Sequence, residues 1–168
     1  MTDAETQLYA DLATLGIPFT TLEHPAVFTV AESSGLNGQL DGAHTKNLFL
    51  KDKKGRFWLV TVRAELRVNL KMLPAAIGCD RVSFGNPDDM QRLLGVSPGS
   101  VTALAIVNDT QRLVQIVLDD ALLKAEVVNC HPLRNDATLS IAPVNLMRAL
   151  RHWNHEPIIA SIPILEPE

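Results

Sequence analysis

The sequence predicts a mixed α/β fold: a largely antiparallel, mixed β-sheet packed by helices. Three observations lead there. Short β-rich apolar runs alternate along the chain with segments whose apolar residues recur at helical spacing. Several of these runs meet across short turns, which argues for hairpins rather than a purely parallel sheet. The stretch from His44 to Asp52 then returns through Lys53-Lys54-Gly55 into Arg56 to Val62, with large apolar groups on both faces of the outgoing strand. Side chains alternate along a strand, so Lys46, Leu48 and Leu50 share one face, and Asn47, Phe49 and Lys51 the other. A strand apolar on both faces belongs inside the sheet, covered on both sides.

Each element has its own local warrant. Thr2 and Glu5 have capping-box spacing, and Ala4, Leu8, Leu12 and Leu15 follow on one face, so a helix is expected over 3–15, stopped by Gly16. Ile17 to Leu22 read as a strand, and Pro18 suits it to an edge. His24 to Phe28 connect. Thr29 and Glu32 mark a short helix over Val30 to Ser34, and Leu36 to Ala43 read as a loop. After the hairpin, Leu66, Leu70, Leu73 and Ile77 share a helical face, so a helix running to Gly78 is expected, with Pro74 a point of interruption. Arg81 to Phe84 read as a strand. Asn86-Pro87-Asp88-Asp89 is a cap, a first-turn proline and two acids, and opens a helix that ends at Gly95. Val101 to Val107 and Leu113 to Leu118 read as a second hairpin. A short helix over 121–124, a strand over 126–129 and another over 137–141 follow. Pro143 opens a helix with Val144, Met147 and Leu150 on one face, and Ile158 to Ile162 form a last strand. The tail from Pro163 to Glu168 is expected to fray.

At 168 residues, with 46% hydrophobic and 20% charged side chains, the chain reads as one globular domain spanning 1–168 that needs no disulfide staples. A formal net charge of -4 argues against a protein that coats duplex DNA, which rests on many phosphate contacts; a local basic patch gripping one nucleic-acid end is compatible with it. Cys79 and Cys130 read as free thiols of a cytoplasmic protein, because the polar N-terminus carries no secretory signal. No apolar run reaches the length of a membrane span. There is no phosphate-cradling loop, dinucleotide fingerprint or nucleophile elbow, and neither cysteine has metal-ligand company. His152 and His155 read as surface residues. No cofactor and no metal is expected.

Three places invite chemistry. Lys46 stands at the entrance of the central strand. Either its stem packs while its ammonium reaches water, or it is a fixed cation facing a pocket that holds an anionic or carbonyl-bearing ligand. Cys130 and His131 are neighbours, but adjacent strand residues point to opposite faces, so Cys130 reads as packing. His131, at a strand-to-loop junction, either orders the loop or belongs to a site. Gly99-Ser100 makes a turn, and the missing Cβ also lets backbone N–H groups approach a ligand oxygen. Lys51, Lys53, Lys54 and Arg56 gather at the hairpin tip, as a solvated turn or as a phosphate-binding patch.

The ordered set His24-Pro25-Ala26-Val27-Phe28-Thr29-Val30, the stretch from Gly42 through Lys46-Asn47-Leu48-Phe49-Leu50-Lys51-Asp52, Leu94-Gly95-Val96-Ser97-Pro98-Gly99-Ser100-Val101 and His131-Pro132 with Asn135 and Ala137-Thr138-Leu139 resembles the YbaK/ProX-like aminoacyl-tRNA deacylases. These are related to the editing domain of prolyl-tRNA synthetase, and the likeness runs from about Leu8 to Ile162. The resemblance is nearest to the branch that clears alanine from proline tRNA; sister branches clear cysteine, serine or threonine. It implies the prolyl-tRNA synthetase associated domain type of fold and hydrolysis of the ester of a mischarged tRNA. Lys46, Gly99 and His131 would then be catalytic, and Asn47, Ser100, Ala103 and Phe28 would contact substrate. Lys51, Lys53, Lys54 and Arg56 would meet the tRNA acceptor end, with prolyl-tRNA synthetase or an elongation factor as docking partner. Ala103 stands where many members have proline, so a less rigid loop or a slightly larger pocket is expected. The competing class is a non-catalytic module whose pocket captures an amino acid, a nucleotide or a nucleic-acid end.

Overall fold

The computed structural model describes residues 2–26 and 42–165. The helix expected over 30–34, most of the loop after it and Phe28 lie outside them. Among the described residues the elements are α1 (Asp3–Thr14), β1 (Thr20–Glu23), β2 (Ala43–Asp52), β3 (Phe57–Arg63), α2 (Leu73–Ile77), β4 (Val82–Phe84), α3 (Pro87–Leu94), β5 (Val114–Asp119), β6 (Val128–Cys130), β7 (Ala137–Ile141), α4 (Pro143–His152) and β8 (Ile158–Ala160). The strands form one sheet in the order β1-β7-β6-β2-β3-β5-β8, with β4 also paired to β2. The mixed α/β class holds. Four pairings are antiparallel and three parallel, the parallel ones being β2 with β6, β3 with β5 and β5 with β8.

The local signals work as chemistry says they should. Thr2 Oγ1 accepts from Glu5 N–H at 3.1 Å, and Asn86 Oδ1 from Asp89 N–H at 2.7 Å, so both helices start on a side-chain cap. The central hairpin pairs Lys46 with Val62, Leu48 with Val60 and Leu50 with Trp58. Phe49 and Leu59 enter the larger core beneath α1, α3 and α4. Leu50, Trp58, Val60 and Val62 enter a second core on the opposite face, with Leu73 and Ile77 of α2, Val117 and Ile162.

Five expectations are corrected. Val101 to Val107 is not a strand: Ala103–Asn108 is a buried 3-10 segment, begun by Thr102 Oγ1 accepting from Leu104 N–H. A short apolar run has the same pattern in a buried strand and a buried helical turn, and burial here comes from packing under α1 and α3. With that strand gone, β5 pairs in parallel with β3 instead of closing a second hairpin. The helix before Gly78 is only Leu73–Ile77, with Pro74 in its first turn. The residues ahead of it are taken by the tail: Asn69 N–H donates to Pro163 O, and Leu165 N–H to Arg67 O. The tail is therefore pinned through Leu165, not frayed there. In α4 the buried face is Leu146, Ala149 and Leu150, while Val144 is exposed. His155 is buried rather than at the surface, with Nε2 hydrogen-bonded to Asp109 O.

Candidate functional site

The second face of the sheet divides in two. Toward β3, β5 and β8 it is apolar. Toward the head of β2, β6 and β7 it turns polar. Val128, Cys130, Leu139 and Ile141 point into the larger core, so alternation places Asn129, Thr138 and Ser140 on the other face, with His44 and Lys46 of β2. Ser140 Oγ donates to Asn129 Oδ1. His24 joins from the end of β1: Nδ1 lies 2.8 Å from Pro25 O, which can only accept, so Nδ1 donates. Its Nε2 is 2.9 Å from Thr138 Oγ1.

Lys46 is half-buried on this face. Burial pushes its ammonium below the ordinary lysine range, the neighbouring Arg67 cation pushes it further, and Glu65 partly offsets both. Glu65 is itself engaged by Arg63 at 2.6 Å, and no described carboxylate comes within ion-pair distance of Lys46. The result is a partly desolvated cation with no ion-pair partner among the described residues, on a strand held at both edges.

His131 follows β6 directly. The β2–β6 pairing ends at His44 and Asn129, so His131 lies just past it, near the strand that carries Lys46. Its Nδ1 donates to Ala137 O at 3.3 Å, which leaves Nε2 for another partner. Burial, with His24 adding to it, lowers its pKa below the usual histidine range. A folded-state pKa below the unfolded one means that the unfolded chain takes up the proton first. Stability is therefore full above about pH 6.5 and falls as the pH drops below it. His131→Gln is expected to flatten that acid decline in urea melts run from pH 7.5 to 5. An unchanged decline would mean that another group titrates there.

Cys130 faces the core, 3.9 Å from Thr45 Oγ1, and burial pushes its thiol up to about 11. A thiol held protonated is a poor nucleophile. Cys130→Ala is expected to keep the parental catalytic rate and to lose about 1 kcal/mol in denaturant titration, the cost of a small cavity. A folded variant without activity would bring the thiol back into the chemistry.

The glycine loop is a 3-10 turn over Pro98–Ser100. It is tied to β2 by Asn47, whose Nδ2 donates to Val101 O at 3.3 Å while its Oδ1 accepts from Thr61 at 2.6 Å. Both ends of the Asn47 amide are thus spent inside the protein, on the strand face opposite Lys46. Ser100 is buried, and Ala103 is fully enclosed in the larger core. Among the described residues no hydrogen bond joins Gly99 or Ser100 to Lys46 or His131. Ala103 opens its 3-10 segment, where an N–H is free of the helical pattern, and Thr102 before it is extended at φ -156, ψ 151, as a residue preceding proline must be. Ala103→Pro is therefore expected to fold and to gain up to about 1 kcal/mol in a thermal melt. A loss would show that the backbone there is unlike the family's.

The hairpin tip lies at the other end of β2, roughly 20 Å along the strand from Lys46. Lys54 is paired with Asp80 at 3.6 Å, and Arg56 with Asp52 at 3.1 Å. Lys51 and Lys53 have no carboxylate partner among the described residues, and the Lys51 ammonium sits 5.5 Å over the Phe57 ring. Pairing with β4 brings Arg81 to Lys53, whose N–H donates to Arg81 O. A groove of about 400 Å³ is lined by Lys51, Asp52, Lys53, Arg81, Val82 and Ser83. Sequence reasoning missed Arg81, which only strand pairing brings there. It also missed the polar row His44, Asn129 and Ser140, whose alternation with core residues was the available signal.

The polar half-face defines a class of protein once it is set beside known ones. Residues 24–149 match the family model described as the aminoacyl-tRNA editing domain, and the chain belongs to that family, the YbaK/ProX-like one its motifs resemble. Among curated relatives, the prolyl-tRNA synthetase associated domain-containing protein 1 of Danio rerio is 40% identical over 95% of this chain and 88% of its own length. The prolyl-tRNA editing protein ProX of Acetoanaerobium sticklandii is 32% identical over 89% of this chain and 92% of its own. The fold is shared with a protein proposed as a trans-editing enzyme for prolyl tRNA synthetase, at TM-score 0.73 and 22% identity over 97% of this chain and 98% of that one. It is shared also with the hypothetical protein APE2540, at TM-score 0.74 and 21% identity over 94% and 98%.

Proposed function

We propose that this protein is a trans-editing deacylase that hydrolyses alanine from mischarged proline tRNA. The observation that carries the reading is Lys46: a partly desolvated cation with no ion-pair partner among the described residues, on the polar half-face of an editing-domain fold. An aminoacyl ester is already activated, so water suffices as nucleophile when it is held in line. Lys46 takes the carbonyl side of the ester or the terminal phosphate through a charge-assisted hydrogen bond. Backbone N–H groups near Gly99 and Ser100 stabilise the oxyanion as it forms. His131, with Nδ1 fixed on Ala137 O, offers Nε2 to the substrate or to water. The substrate's own 2′-hydroxyl helps orient that water. Selectivity follows from size, a small pocket admitting alanine and excluding proline. Lys51 and Lys53 meet acceptor-stem phosphates far from the ester, and prolyl-tRNA synthetase or an elongation factor is the docking partner in the cytoplasm.

The test is a deacylation panel of Ala-, Ser-, Cys- and Pro-tRNA with purified protein at low enzyme concentration. Faster loss of alanine than of the others supports the reading. Loss of serine or cysteine alone moves the substrate to a sister branch. No loss beyond buffer, with tRNA still bound, would leave a binding module.

A further inference from the structure

The head of β2 carries a histidine that the mechanism above does not use. The backbone of His44 is held on both sides. Its C=O accepts from Ala64 N–H at 2.8 Å, and it stands opposite Asn129 in the parallel β2–β6 pairing. One residue earlier, Ala43 N–H donates to Val127 O at 2.9 Å. Gly42 enters the strand at φ +96, and a Cβ there would come within 2.5 Å of Val127 O. The chain lies tight against β6 at this point, so the sheet fixes where the imidazole starts. Alternation puts the ring on the face of Lys46, while Thr45 turns to the core and bonds Asn129 O at 2.6 Å.

The His44 ring is half-buried. Its Nε2 is fully enclosed and has no hydrogen-bond partner, and it is the one such side-chain atom among the described residues. A buried nitrogen left unpaired carries its whole desolvation penalty, and native folds rarely keep one without use. The strand holds this nitrogen on the face of Lys46, which has no ion-pair partner among the described residues, and a polar group from outside reaches it by displacing what now covers the ring.

We infer that His44 is a substrate-binding residue whose Nε2 holds the free hydroxyl of the terminal ribose, beside the ester. The identity of the substrate rests on the deacylase reading above. The chemistry selects the hydroxyl. A neutral imidazole has one donor and one acceptor, and either can sit at Nε2. A hydroxyl both donates and accepts, so it satisfies Nε2 in either tautomer. An α-ammonium only donates, an ester carbonyl only accepts, and Lys46 on the same face repels the first and attracts the second. The substrate is thereby divided, with the carbonyl at Lys46 and the hydroxyl at His44.

Two variants and two pairs of probes test this. The esters are Ala-tRNA ending in adenosine and the same tRNA ending in 2′-deoxyadenosine. The stable probes are 3′-alanylamino-3′-deoxyadenosine and its 2′-deoxy form. His44→Leu is expected to slow the ordinary ester roughly tenfold. It should slow the 2′-deoxy ester no further, because the partner is already missing. His44→Gln, whose amide reaches the place of Nε2, is expected to recover most of the rate. The melting temperature of His44→Leu should hold or rise, since an orphaned nitrogen has gone. Equal slowing of both esters, or a lower melting temperature without discrimination between them, makes His44 structural and overturns the inference. The amide pair separates this from the catalytic reading and also serves where the 2′-deoxy ester is too slow to follow. Suppose the parental protein hydrolyses nothing, yet binds the ribose amide about tenfold tighter than its 2′-deoxy form, and His44→Leu erases the difference. The contact then stands while the deacylase reading falls. If neither amide binds, or the difference survives in His44→Leu, the contact falls.

Discussion

Replacing Lys46 with alanine is expected to lower the deacylation rate about tenfold to a thousandfold and to leave the melting temperature at or slightly above the parental value. The two halves have separate causes. In the proposed mechanism the rate rests on a cation placed by β2 that pairs with no carboxylate among the described residues. Stability does not depend on it, because burial and Arg67 both disfavour the charged form. A lysine whose folded-state pKa is depressed carries a cost at neutral pH, and that cost is relieved only as the pH rises through the depressed value toward the ordinary one. Removing the charge relieves the same cost, and the flanking strand is held by Leu48, Phe49 and Leu50 in their own cores. Lys46→Met keeps the stem and should behave like alanine in activity. Lys46→Arg should rescue poorly, since a wide planar head beside Arg67 is no substitute for a compact ammonium. Thermal unfolding and Ala-tRNA deacylation on the same preparations decide it. A Lys46→Ala protein that deacylates at the parental rate would leave a lysine that merely reaches water.

How much of this was legible in the chain depends on the range of the signal. The caps at Thr2 and Asn86, the Lys53-Lys54-Gly55 turn and the two-faced strand beyond Lys46 are local, and each was read correctly. The errors sit where distant residues decide. Leu66 and Leu70 had helical spacing with Leu73 by coincidence, and backbone bonds to Pro163 and from Leu165 hold the segment ahead of α2 in another conformation. The apolar run over 101–107 reads as a strand, yet Ala103–Asn108 is a 3-10 segment packed against α1, α3 and α4. His131 could be proposed from its position at a strand end. His44 could not be, because only the packed structure shows its one enclosed nitrogen without a partner among the described residues. The basic tip divided for a similar reason: Asp80 and Asp52 take Lys54 and Arg56, and Arg81 arrives through β4.

Arg134→Ala is expected to cost about 3 kcal/mol, the largest stability loss at any charged position considered, because it strands a buried carboxylate. Arg134 lies in the loop that follows His131. Its Nε donates to both oxygens of Glu5, at 3.0 and 3.1 Å, and its Nη1 to Glu23 at 2.7 Å and Asp136 at 2.9 Å. One guanidinium therefore joins α1, β1 and the loop. Glu23 and Asp136 are exposed, so their pairs contribute little. Glu5 is only 1% exposed, and its other described side-chain partner is the Tyr9 hydroxyl at 2.8 Å. Burial and that carboxylate push the Tyr9 phenol up to about 12, so the hydroxyl stays a donor at neutral pH. Without Arg134 the carboxylate keeps, among the described residues, one neutral side-chain donor and no counter-charge. For a domain of this size the loss corresponds to a fall of roughly 6 to 12 °C in melting temperature. Deacylation should also fall, by less than in Lys46→Ala, because the loop that begins with His131 loses its tie to α1. Adding Glu5→Gln should recover part of the stability, since a neutral amide tolerates burial that a lone carboxylate does not. The two melts, single and double, are the measurement. A single variant that melts with the parental protein would show that water reaches Glu5 once the arginine has gone, and that the cluster does not clamp the loop.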